Sequence, residues 1–186
     1  LVINHAHLGQ QIETALGDGA RLGVRIAWSA EGTPLETAGG IAQALSLLGD
    51  APFLVTNGDV YTEYDYARLR RVLEAMARSP ARRAHLVLVD NPAHHLQGDF
   101  VLEGDQVSLP PTHAKARYTF SGIGVYQPSL FADIVPGEKA KLAPRLVAAM
   151  TAGQVTGEHF QGRWEDVGTP ARLHALDEEL HARIAA

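Results

Sequence analysis

The sequence contains no cysteine. Disulfides, thiolate metal sites and a cysteine nucleophile are therefore excluded, and the absence fits a reducing compartment such as the cytoplasm. Apolar runs long enough to cross a membrane are also missing. No block of Lys and Arg interrupts a formal net charge of -5, so we expect neither a nucleic-acid partner nor a membrane partner.

The composition is that of a soluble globular protein. The chain has 186 residues, of which 46% are hydrophobic and 20% are charged. This length suits a single domain, residues 1–186, with one sizeable core. The chain opens directly inside a strand-like run, Leu1-Val2-Ile3-Asn4, and we interpret it as the remainder of a longer protein.

Strand-length apolar runs alternate with segments of helical period. Residues 53–55 and 85–89 are continuous apolar runs typical of strands buried on both faces. One helix, with Thr37 as its cap, is predicted before the first run, and another, with Asp65 as its cap, is predicted between the two runs. A polar hairpin is expected at residues 100–109. The pattern predicts an α/β fold with a mostly parallel sheet covered by helices on both faces.

Three polar segments follow strands or open helices, where ligands bind in open α/β sheets. Residues 57–59 (NGD) directly follow the strand at 53–55, and residues 164–170 (WEDVGTP) carry Asp166 out of a short strand. Residues 34–40 (PLETAGG) open a helix whose free N–H groups and glycines suit a phosphate or a flat ring. Each segment taken alone is equally typical of a turn or a helix cap.

The three segments together indicate a metal site. Mg²⁺ prefers one or two carboxylates, with phosphate oxygens and water completing six ligands. Asp59 and Asp166, at separate strand ends near a glycine-rich helix start, meet that requirement.

Five segments in order resemble the sugar-1-phosphate nucleotidyltransferases. They are residues 35–39 (LETAG), 57–59 (NGD), 89–100 (VDNP…GDF), 121–123 (SGI) and 164–170 (WEDVGTP). The resemblance covers nearly the whole chain. It implies the Rossmann-like three-layer α/β/α fold of the nucleotide-diphospho-sugar transferases, with a mixed, mostly parallel sheet.

The resemblance also implies the roles of individual residues. Asp59 and Asp166 would be the catalytic pair that holds Mg²⁺. The nucleoside triphosphate would contact Glu36, Thr37, Gly39, Asn57 and Gly58. The sugar 1-phosphate would contact Gly98, Asp99, Ser121, Gly122 and Lys141.

Two departures from the family pattern stand out. Glu36 occupies a position where many members have glycine, which puts the usual base contact in doubt. The opening family segment, L-A-A-G-x-G-x-R followed by P-K-P, does not occur in this sequence. That segment forms the first strand and the triphosphate loop, so the fragment alone is expected to be inactive.

Within the family, residues 4–13, 34–37 and 141–144 resemble a uridylyltransferase branch that acts on N-acetylmuramate 1-phosphate in cell-wall recycling. The resemblance implies UTP as the nucleotide and a monomer or weak homo-oligomer. Guanylyltransferases of mannose 1-phosphate and a non-catalytic binding module of the same fold stay open. A glycosyltransferase with a D-x-D metal site is disfavoured, because the sequence has Asn-Gly-Asp instead.

The nine histidines raise the question of a zinc site. His5 and His7 are two apart, and His94 and His95 are adjacent, but no third ligand follows at a regular spacing. These side chains are interpreted as loop histidines.

Overall fold

A computed structural model describes residues 1–111 and 116–185. The strands are β1 (Val2–His5), β2 (Ala27–Ala30), β3 (Phe53–Thr56), β4 (Val60–Thr62), β5 (Ala84–Val89), β6 (Val101–Glu103), β7 (Gln106–Ser108), β8 (Thr119–Tyr126), β9 (Val155–Phe160) and β10 (Trp164–Asp166). The helices are α1 (Gly9–Leu16), α2 (Glu36–Leu48), α3 (Leu69–Arg78), α4 (Leu142–Thr151) and α5 (Pro170–Ala185). None of the helices in this described part is long and apolar enough to span a bilayer.

Six strands form the central sheet in the order β3-β8-β5-β9-β7-β6. Strands β5 and β9 pair in parallel, and β8 pairs antiparallel with both β3 and β5. The hairpin of β6 and β7 joins β9 antiparallel. Four of the six strands, β3, β5, β6 and β9, therefore run in one direction, and β7 and β8 run against them. The predicted α/β fold with a mixed sheet is confirmed.

Helices cover both faces of this sheet, as the continuous apolar run at β5 predicts. All six residues of β5 are buried, and their side chains alternate between the two faces. Leu86 and Leu88 belong to a core with residues of α2 and α4, whereas Val87 belongs to a second core with residues of α3. The result is the expected three-layer arrangement.

Two short pairs of strands lie outside the central sheet. Strands β1 and β2 pair in parallel, and β4 pairs antiparallel with β10. Helix α2 packs against β1 and β2 and also contributes to the core of the central sheet. The chain thus has one central sheet and two separate two-stranded pairs, β1–β2 and β4–β10.

Two local features of the structure were not predicted from the sequence, and one prediction is wrong. Strand β4 was not predicted, because Val60–Thr62 is only three residues long and half-buried. Strand β8 lies antiparallel in the middle of the sheet, which the alternation of strands and helices does not indicate. Thr37 is not the cap of α2, since the helix begins at Glu36 and no side chain caps it.

We expect Leu86→Ala to lower the free energy of unfolding by about 2–5 kcal/mol, because Leu86 is 0% exposed and its loss leaves a cavity. Leu173→Ala is the matched control, because Leu173 is 55% exposed on α5, and it should change stability by less than about 0.5 kcal/mol. Urea unfolding measures both. Equal losses in the two variants would contradict the placement of the core.

Candidate active site

The pairing of β10 with β4 brings Asp59 and Asp166 together. Asp166 lies opposite Val60 in the antiparallel register, and the Val167 N–H donates to the Asp59 carbonyl at 2.8 Å. A Cβ atom placed on Gly168 would lie 2.9 Å from Asp166 Oδ1 and 3.4 Å from Asp59 Oδ2. Both carboxylates therefore border the same small space, which stays open because residue 168 is glycine.

Hydrogen-bond donors and basic side chains surround the Asp166 carboxylate. The Gly168 N–H donates to its Oδ1 at 2.8 Å. Its Oδ2 lies 3.6 Å from His94 Nε2 and 3.5 Å from Arg172 Nη2. The loop before residue 98, the backbone after β10 and helix α5 therefore all contact this carboxylate.

The chemistry of this corner fits a hard divalent cation. Carboxylate oxygens are the preferred ligands of such ions. Among the described residues no three His, Cys, Asp or Glu side chains converge as a metal-binding group. The protein therefore offers two carboxylates, and water or ligand oxygens would have to supply the other positions. This is the pattern expected for Mg²⁺ bound together with a phosphate substrate.

Two side-chain contacts hold β10 in this position. Trp164 Nε1 donates to the Ser121 carbonyl of β8 at 2.9 Å. Arg163 bonds Glu165 and reaches Glu179 of α5 at 2.7 Å. The hydrogen bond to Glu165, followed by that to Glu179, raises the pKa of the Arg163 guanidinium, so it remains charged. Strand β10 is thus attached to both the central sheet and the last helix.

A cleft of about 340 Å³ extends from the carboxylate pair toward β8. Asp99 lines it with both carboxylate oxygens already engaged. His95 Nε2 lies 3.0 Å from Oδ1, and the Phe120 N–H donates to Oδ2 at 2.9 Å. Ser121 also borders the cleft, but its hydroxyl is buried and donates to the Val87 carbonyl at 2.7 Å. This hydrogen bond links β8 to β5.

Two further clefts adjoin this one. The second measures about 390 Å³ and has a mixed polar and apolar lining, which includes Glu36, Thr37, Asn57, Asp99, Gly122 and Lys141. The third measures about 430 Å³ and lies between β1 and β3, bordered by residues that include Asn4, Glu31, Gly58 and Asp59. Asn57 lines all three clefts, and a Cβ atom on Gly122 would lie 2.8 Å from its Nδ2. Gly122 therefore leaves room for Asn57 at the centre of the site.

Glu36 has a left-handed backbone, with φ of 62°. This conformation costs an L-residue with a side chain about 1–2 kcal/mol. Hydrogen bonds on either side enforce it: Ala140 N–H donates to Leu35 O at 2.9 Å, and Ala140 O accepts from Ala38 and Gly39. A glycine adopts this conformation without strain, which gives a physical reason for the glycine that the family pattern has at this position.

Two predicted contact residues, Gly39 and Gly98, also make close packing contacts. Gly39 is buried, and a Cβ there would lie 2.4 Å from the Glu138 carbonyl. Its N–H and that of Ala38 donate to Ala140 O at 3.0 Å, so these groups do not face a ligand. Gly98 has φ of 60° and packs against Asn91, which indicates a turn position.

The adjacent histidines lie in the cleft, which their interpretation as simple loop residues missed. His94 approaches Asp166 and His95 bonds Asp99. Their position just before residues 98–100 of the sugar-loop motif was the available signal. His5 instead bonds Glu13 at 2.7 Å.

A buried tyrosine after β4 belongs to the second core. Tyr64, which follows β4, is 4% exposed and packs edge-on against Phe160 at 5.2 Å between ring centroids. Burial raises the pKa of Tyr64 well above its ordinary value, and its hydrogen bond to Glu158 acts in the same direction. Its hydroxyl stays neutral, and the ring serves packing rather than stacking with a ligand.

The chain is similar in sequence to known nucleotidyl transferases. A family model described as "Nucleotidyl transferase" matches residues 1–183. The N-acetylmuramate alpha-1-phosphate uridylyltransferase of Neisseria meningitidis serogroup B is 49% identical over 93% of this chain and 74% of its own length. The catalytic subunit beta of mannose-1-phosphate guanylyltransferase from Dictyostelium discoideum is 28% identical over 81% of this chain and 42% of its own length.

A solved structure supports the fold independently of close sequence similarity. HddC from Yersinia pseudotuberculosis, complexed with GMP-PN, superposes with a TM-score of 0.71 at 17% identity. The match covers 96% of this chain and 77% of that one. Together with the family model over residues 1–183, these similarities establish that the chain belongs to the nucleotidyl transferase family.

Proposed function

We propose that the protein joins UTP to N-acetylmuramate 1-phosphate, giving UDP-N-acetylmuramate and pyrophosphate. The family match and the 49% identity to the Neisseria uridylyltransferase support this reaction. The single structural observation that carries it is the meeting of Asp59 and Asp166 beside Gly168. A reaction of nucleoside triphosphates belongs in the cytoplasm.

In the proposed reaction a phosphate oxygen of the sugar 1-phosphate attacks the α-phosphorus of UTP. A new phosphorus–oxygen bond forms, the bond to the bridging oxygen of the β-phosphate breaks, and pyrophosphate leaves with that electron pair. Because the nucleophile is already anionic, neither a protein nucleophile nor a strong general base is required. The protein contributes positioning and neutralisation of charge.

Asp59 and Asp166 would hold Mg²⁺, which when bound supplies Lewis-acid stabilisation of phosphate charge. Asp99 and Gly122, which border both of the first two clefts, are proposed to contact the sugar. Lys141 lies at the start of α4 and lines the second cleft, so we assign it to the sugar's phosphate.

Thr37, Asn57 and Gly58 are proposed to contact UTP, and Glu36 is proposed to contact a substrate beside them. All four border the third cleft, which also contains Asp59. This third cleft lies between β1 and β3, which belong to separate sheets in the described chain.

A second candidate function is the transfer of guanylate to mannose 1-phosphate. It is favoured by the similarity to the Dictyostelium guanylyltransferase, which at 28% identity is more distant. The test is a pyrophosphate-release screen of the full-length protein over UTP, GTP and dTTP with each sugar 1-phosphate. We expect the highest kcat/KM with UTP and N-acetylmuramate 1-phosphate. Preference for GTP and mannose 1-phosphate would contradict the proposal, and no release with any pair would favour a non-catalytic module.

We expect Asp59→Asn or Asp166→Asn in the full-length protein to lower kcat by on the order of 100-fold or more, because each amide removes one anionic ligand for the cation. Asp50→Asn is the matched control, because Asp50 is an exposed loop residue. Steady-state pyrophosphate release measures all three, and circular dichroism checks that each variant is folded. Undiminished turnover in both site variants would contradict the metal assignment.

We also expect Gly168→Ala to raise the Mg²⁺ concentration for half-maximal activity by about 10-fold or more. The new methyl group would occupy the space between the carboxylates, 2.9 Å from Asp166 Oδ1. A titration of activity against Mg²⁺ at saturating substrates gives this value. An unchanged midpoint would mean that the cation binds elsewhere.

A further inference from the structure

Glu36 combines a strained backbone with a side chain that the fold does not use. Its φ of 62° lies in the left-handed region, and the bonds of Leu35, Ala38 and Gly39 to Ala140 hold it there. Among residues 1–111 and 116–185 its carboxylate makes no hydrogen bond or ion pair. Residues held in such conformations persist where the surroundings enforce them, and they cluster at ligand sites.

The location of Glu36 limits what its side chain can meet. Glu36 is exposed and borders both the second and the third cleft, together with Thr37 and Asn57. The second cleft also contains Lys141 and Asp99, and the third contains Asp59. Glu36 therefore lies where the two proposed substrates adjoin each other.

The chemistry of a carboxylate further limits which substrate groups can form hydrogen bonds with the Glu36 side chain. An ionised carboxylate only accepts hydrogen bonds. Phosphate groups repel it, and the single N–H of uracil lies between two carbonyl oxygens that would also repel it. The substrate donors that remain are the sugar hydroxyls and the acetamido N–H of N-acetylmuramate, and the hydroxyls are the more numerous of the two.

We propose that the Glu36 carboxylate is a substrate-binding group that accepts hydrogen bonds from sugar hydroxyls at the junction of the two clefts. This inference rests on the proposed function. The hydroxyls belong either to the ribose of UTP or to the sugar of the sugar 1-phosphate, and both share the same chemistry. The side chain at residue 36 thus contributes to substrate selection in a way that glycine at this position does not.

The test compares Glu36→Gly and Glu36→Gln with Leu8→Gly in the full-length protein. Leu8 is the matched control, because it is the other non-glycine residue with positive φ in the described chain, at 55°, and it is exposed. Relief of strain should leave the thermal midpoint of both glycine variants unchanged or raise it by about 2 °C. The two Glu36 variants should raise the KM of one substrate by about tenfold or more, the range for a hydrogen bond to a charged group. Leu8→Gly should keep both KM values.

Two arms identify the source of the hydroxyl. If the ribose is bound, 2′-deoxy-UTP should raise KM in the wild type, and the additional effect of Glu36→Gln should disappear with that nucleotide. If the other sugar is bound, the KM of the sugar 1-phosphate should rise while that of UTP stays unchanged. Either pattern supports the proposal.

The proposal for Glu36 would be overturned if Glu36→Gly and Glu36→Gln had the same KM values as the wild type for both substrates. The strained backbone would then serve only the hydrogen bonds to Ala140. Equal loss of kcat in both variants with no change in KM would also contradict a substrate-binding role. Absence of turnover in the wild type with UTP and N-acetylmuramate 1-phosphate would instead contradict the proposed function, and this inference with it.

Discussion

The site depends on the antiparallel pairing of β10 with β4. Asp59 and Asp166 are far apart in sequence, and only this pairing places both carboxylates beside Gly168. The pairing is itself short, so it relies on external support. Trp164 bonds the central sheet at Ser121, and Arg163 bonds Glu179 of the last helix. The geometry of two carboxylates is thereby coupled to the packing of the whole carboxyl-terminal part of the chain.

Charge explains the rest of the arrangement around this pair. Asp59, Asp99 and Asp166 all border one cleft, and the proposed substrates are anions as well. The donors within the cleft, from His95 and from the backbone at Phe120 and Gly168, already engage Asp99 and Asp166. Neutralising the substrate phosphates therefore calls for a bound cation and for cationic groups beyond this cleft. The proposed Mg²⁺ and Lys141 meet that need.

The sequence predicted most of the fold for a clear reason. Strands such as β5 are continuous apolar runs, and such a run is recognised from neighbouring residues alone. Strand β4 escaped prediction because three half-buried residues carry no period. The antiparallel direction of β8 was not predicted, because pairing between distant strands leaves no pattern in the local sequence. Both features are set by tertiary contacts.

The candidate site likewise contains some features that the local sequence indicates and others that only tertiary contacts determine. Residue types and order indicated Asp59 and Asp166, because a carboxylate at a strand end is a local signal. The packing role of Gly39, the left-handed backbone of Glu36 and the approach of His94 to Asp166 depend on the segments at 138–140 and 92–98.

The central claim is that the two aspartates share one cation, and the most direct measurement is anomalous diffraction from full-length protein crystals with Mn²⁺ and UTP. The account predicts a metal peak within about 2.2 Å of a carboxylate oxygen of both Asp59 and Asp166. A metal bound away from either aspartate would contradict it.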